Sequence, residues 1–82
     1  MLLSEPAPRC EAAELNAMNV RVGRALGRAR MAAGLSTARL AATAGMDILD
    51  LALCEAGRRR ARAHELLELT TALGIRPSDL YA

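Results

Sequence analysis

Hydrophobic positions along the chain recur at helical spacing between regularly placed glycines. Val22, Leu26, Ala29 and Ala33 fall three or four apart and predict a helix that opens with Asn19 as N-cap and stops at Gly34. Ser36 is placed to cap a second helix, Thr37 to Ala44, with Leu40, Ala41 and Ala44 facing inward before Gly45. Asp47 then caps a third, Ile48 to Ala56, with Leu51 and Cys54 inward and Gly57 at its end. A loop from Arg58 to Arg62 leads to a fourth helix, which buries Leu66, Leu69 and Leu73 and stops at Gly74. Pro77 starts a short fifth helix through Tyr81, because proline is tolerated at the first helical position. The expected fold is all-α, a compact five-helix bundle. Helices two and three, two turns each across a Gly45–Met46 turn, form a helix-turn-helix unit. Residues 1–18 read as a flexible or partly helical tail ahead of a domain at 19–82.

Composition agrees with the periodicity. Hydrophobic residues make up 52% of the 82-residue chain, which argues against disorder. Tyr81 is the single aromatic, so the core rests on Leu, Ala, Val, Ile and Met, and Leu and Ala favour helix. The net charge of +2 says little, but its distribution says more. Residues 1–19 are acidic, whereas the rest carries ten Arg against six acids and no Lys. Guanidinium forks suit phosphate, so the basic domain points to nucleic acid as one reading and a solvated surface as the other.

Other chemistries are excluded on residue inventory. Cys10 in the tail and Cys54 on an apolar helix face make no disulfide framework and fit a reducing cytoplasm. No signal peptide or membrane span is expected. His64 is the sole histidine, has no nucleophile partner, and reads as a surface residue near a helix start. One His and two distant Cys make no metal site, and the glycines are spaced as helix stops rather than as a phosphate loop. Neither enzymatic activity nor a cofactor is expected.

From about Val20 to Tyr81 the chain resembles the Cro/CI-type (phage-repressor-like, XRE) helix-turn-helix family. The residues that carry the resemblance are VGRALGRARMAAGLSTARLAATAGM, CEAG and ELLELTTALGIRPSDL. Arg30 precedes the Gly34-Leu35-Ser36 turn by four residues, Glu55 and Gly57 end helix three, and Leu73-Gly74-Ile75 ends helix four. The resemblance implies a small DNA-binding transcriptional regulator with helix three in the major groove. It implies a structural ion pair between Arg30 and Glu55. It places phosphate contacts at Thr37, where helix two begins, and at Arg58, Arg59, Arg60 and Arg62 after helix three. It also implies a homodimer paired near Ile75, Leu80 and Tyr81, in the cytoplasm and associated with the nucleoid when bound.

By the family's spacing the base-reading positions are Asp47, Ile48, Leu49, Asp50, Ala52 and Leu53. The family usually has Ser, Thr, Gln, Arg or Asn there, whose polar groups hydrogen-bond base edges. Here they are acidic or apolar, and a helix apolar on both faces is usually buried on both. Two readings follow. The domain binds double-stranded DNA through the Arg loop and DNA shape with little base discrimination. Alternatively, a repressor-like domain has been turned to protein–protein contact through helix three.

Overall fold

The computed structural model describes residues 6–81, and side-chain surroundings for residues 17–81. Four α-helices, α1 (Pro6–Ala32), α2 (Thr37–Ala44), α3 (Ile48–Glu55) and α4 (Ala63–Leu73), are followed by a 3-10 turn at Pro77–Tyr81. No strand occurs among the described residues. The five-helix expectation is thus corrected to four α-helices and one 3-10 turn. The last segment has only five residues, and Asp79 N bonds back three residues to Arg76 O at 2.9 Å, the 3-10 pattern.

Asn19 does not cap α1. The helix begins at Pro6 and runs unbroken through the expected tail boundary. Half of the residues between Pro8 and Gly23 are Ala, Glu, Leu or Met, which propagate a helix, and an interior Asn costs only tenths of a kcal/mol, roughly. Pro6 and Pro8 fall in the first turn, where the missing N–H has no helical partner to lose. Residues 1–5 of the expected tail, and the Cys10 side chain, lie outside the described residues.

The shorter helices are delimited by local chemistry. Ser36 Oγ accepts from Arg39 N at 3.1 Å, and Asp47 Oδ1 accepts from Leu49 N at 2.8 Å. Met46 N bonds back to Ala41 O at 2.8 Å, which closes α2 and sets the tight turn into α3. Arg62 precedes α4 and its side chain cannot accept a hydrogen bond, so that helix is capped by Glu65, whose Oε1 accepts from Arg62 N at 2.9 Å.

Leu26, Leu40, Leu51, Leu69 and Leu80 form the buried centre, joined by Val22, Ala41 and Ala44. Burial of each leucine contributes roughly 1.5–3 kcal/mol. α1 packs on α3 and on the C-terminal turn, while α2 packs on α3 and α4. Leu66 and Leu73 pack against this core only partly buried, and Ala33 is exposed beyond the last inward turn of α1. Among the described residues no helix is long and apolar enough to cross a membrane.

Candidate nucleic-acid interface

The helix-turn-helix unit is held by two guanidinium clamps. In the first, Arg30 at the end of α1 donates from Nε to Glu55 Oε2 at 2.8 Å and from Nη2 to Glu55 Oε1 at 3.2 Å. Its third nitrogen, Nη1, donates to Leu35 O at 2.9 Å, so one side chain ties together α1, the α1–α2 turn and the last residue of α3. The Arg30 and Glu55 side chains are 17% and 14% exposed, so water competes little for the pair.

The second clamp involves Arg59, an expected phosphate ligand. Its Nη1 and Nη2 donate to Glu65 Oε1 and Oε2, each at 3.0 Å, and Nη1 also donates to the buried Cys54 Sγ at 3.2 Å. Asp50 Oδ1 lies 3.9 Å from Arg59 Nε. The Arg59 hydrogen bonds hold the Glu65 carboxyl down at about 2 against burial, helped by the Arg62 N–H. The same bonds, Glu65 first, raise Arg59 above its ordinary range. Burial pushes the Cys54 thiol up while Arg59 opposes it, so this cysteine remains a protonated packing residue. Arg59, expected at phosphate, is thus engaged inside the domain by Glu65 and Cys54. The signal for it was Glu65 at the third position of α4, hidden because an Arg, not a Ser or Thr, precedes that helix.

Arg58, Arg60 and Arg62 are exposed and make no ion pair among the described residues. Gly57 places Arg58 at the exit of α3: Arg58 N bonds to Leu53 O at 2.9 Å, and Gly57 has φ +77°. A Cβ at Gly57 would stand 2.7 Å from Val20 Cγ2, so both its backbone and its space exclude a side chain. Thr37 is half-buried at the first position of α2.

A contact that periodicity alone missed fixes how α3 sits on α1. Gly23 is no helix stop. A Cβ there would collide with Cys54 O and lie 2.7 Å from Glu55 O, so the two backbones approach where only hydrogen fits. The Gly23–Gly27 spacing, one helical turn on a single face, is the signal that marked it.

Of the positions expected to face bases, Asp47, Ile48, Leu49, Ala52 and Leu53 are exposed and Asp50 is half-buried. Exposure is 50% at Ile48, 67% at Leu49 and 37% at Leu53. None of these residues lines the cavity of about 610 Å³ formed by Met18, Val22, Leu26, Leu66, Tyr81 and the Arg loop. The outer side of α3 is a projecting surface, suited to entering a groove rather than to enclosing a small molecule. His64 is exposed on the first turn of α4, and no metal-binding cluster occurs among the described residues. Leu80, expected at a subunit contact, is 2% exposed and belongs to the core. Ile75 is half-buried against the core and Tyr81 is exposed.

No protein-family model and no curated protein matches the chain. Solved structures do. The restriction-modification controller protein C.AhdI from Aeromonas hydrophila is 38% identical with a TM-score of 0.76, over 78% of this chain and 97% of that one. The clp gene regulator ClgR from Corynebacterium glutamicum is 25% identical with a TM-score of 0.76, over 78% of this chain and 68% of that one. With the helix-turn-helix geometry and an identity spanning nearly all of C.AhdI, the chain belongs to the Cro/CI-type helix-turn-helix family of small, non-enzymatic DNA-binding transcriptional regulators.

Proposed function

We propose that this regulator docks α3 in the major groove and holds the flanking backbone with Arg58, Arg60 and Arg62 and with the start of α2 at Thr37. The observation that carries the reading is the pairing of a projecting, double-clamped α3 with three uncommitted guanidinium groups in the loop that follows it. A rigid helix supplies register, and the cations supply affinity that does not depend on sequence. The working unit is a homodimer, which would present two such helices to a two-fold operator. Tyr81 is the exposed C-terminal contact left once Leu80 is assigned to the core. The protein acts in the cytoplasm, on the nucleoid when bound.

The 38% identity to a restriction-modification controller makes the promoter of a restriction-modification locus the first operator to test. The deciding experiment is a titration of that duplex, and of unrelated duplex, across a salt series. Three phosphate contacts per domain predict a slope of log affinity against log salt near −3 for one bound domain, about twice that for a dimer. Affinity that does not change with salt would sink the phosphate assignment.

A further inference from the structure

The outer side of α3 carries no hydrogen-bond donor. Between Asp47 and Glu55 the polar side chains are three carboxylates and one thiol, and the domain uses all four. Asp47 caps its own helix, Asp50 lies beside Arg59, Glu55 is held by Arg30, and Cys54 is buried under Arg59. Besides the exposed Asp47 and half-exposed Asp50 carboxylates, which are acceptors only, what faces outward is hydrocarbon: Ile48, Leu49, Ala52 and Leu53. Purine N7 and guanine O6 are acceptors, so such a face cannot bond to them. The major-groove feature that matches hydrocarbon is the C5-methyl group of thymine. The uncommitted Arg58, Arg60 and Arg62 that follow α3 favour a polyanion over an apolar protein face as the occupant.

We propose that this regulator reads its operator through pyrimidine C5-methyl groups, thymine's above all, packed against Ile48, Leu49 and Leu53, with no purine hydrogen bond from α3. The inference rests on the DNA-binding reading above and specifies its chemistry. It includes 5-methylcytosine, whose methyl group occupies the same place in the groove.

Two pairs of duplexes that differ only in that methyl group test it. The first is alternating d(A-T) against alternating d(A-U), and the second is alternating d(I-5-methyl-C) against alternating d(I-C). All four are titrated with the full chain at one salt concentration and again across a salt series. In both pairs the methylated member binds more tightly, by about fourfold for each methyl group buried. Leu49→Gln/Leu53→Gln, changed at exposed positions, keeps its thermal melt and its salt slope but brings each pair to near equality. Equal binding of both members by the parent chain overturns the inference and leaves the DNA-binding reading standing. A methyl preference that survives the double substitution also overturns it, because duplex shape would then be what is read. No salt-dependent binding to any of the four overturns the DNA-binding reading as well and returns the α3 strip to a protein partner.

Discussion

Glu65 receives both terminal nitrogens of Arg59 at 3.0 Å, and the same carboxylate caps α4 through Arg62 N at 2.9 Å. One buried side chain thus closes the loop between α3 and α4 and starts the helix that follows.

That arrangement gives stability an acid limb. The Glu65 carboxyl lies at about 2 in the fold against an ordinary value of 4.5, with the Arg59 hydrogen bonds as the main cause. Between those values the unfolded chain holds more protons than the folded one, so stability falls as pH falls through this window. The contribution is complete above about pH 4.5 and is lost towards pH 2. Urea denaturation of the parent and of Glu65→Gln at a series of pH values measures it. The Gln variant is the less stable at neutral pH, and the difference narrows on acidification. A difference that stays constant from pH 6 to pH 2.5 would contradict the assignment.

The Arg30–Glu55 pair carries a structural and a functional consequence together. Glu55→Ala leaves Arg30 without its carboxylate at a site that is mostly buried, at a cost of about 3 kcal/mol. A domain of this size has little more than that to lose, so the variant melts near ambient temperature. Arg30→Lys, with Glu55 intact, is destabilised as well, since an ammonium cannot reach both Glu55 oxygens and Leu35 O in the planar geometry seen here. Circular-dichroism melts of the two variants check both statements.

Gly23→Ala tests the close approach of α1 to α3. Its Cβ would meet backbone oxygens of Cys54 and Glu55, which cannot rotate away, so α3 must shift. The expected cost is about 1–3 kcal/mol, although Ala is the better helix former. Gly27→Ala is the control: the nearest atom to its Cβ would be Glu55 Oε1 at an ordinary 3.7 Å, so that variant is neutral or more stable. Equal stability of the two in urea denaturation would refute the close-packing account.

How much of this was legible in the sequence follows from the range of each interaction. Ser36, Asp47, Gly45 and Gly57 act within a few residues of themselves, so their spacing marked α2 and α3 nearly to the residue. Leu80 and Gly23 owe their roles to elements far away along the chain, and no local pattern separates a core leucine from an interfacial one. Arg59 is the instructive case. In a run of three arginines the side chains are chemically identical, and which one turns inward is decided by where α4 delivers Glu65. The α1 start was misplaced because Asn19 has the identity of a cap, while the preceding residues propagate helix without a stop.

The Arg run therefore separates into two kinds of residue, and single substitutions distinguish them. Arg58→Ala, Arg60→Ala and Arg62→Ala each remove an exposed cation with no ion pair among the described residues, so stability changes by about 0.5 kcal/mol or less. If these side chains meet phosphates, each change weakens binding to all duplex sequences alike and flattens the salt slope by about one. Arg59→Ala behaves in the opposite sense. It strands the buried Glu65 and uncovers Cys54, so its main effect is a loss of about 3 kcal/mol in stability. Measured at a temperature where that variant remains folded, its salt slope stays close to the parent's. Arg59→Lys keeps the charge but loses the bidentate fork, so it recovers part of the stability at most. A slope that falls for Arg59→Ala as much as for its neighbours, with the melting temperature unmoved, would mean that Arg59 leaves Glu65 for the phosphate backbone when DNA binds. It would restore all four arginines to the contact surface.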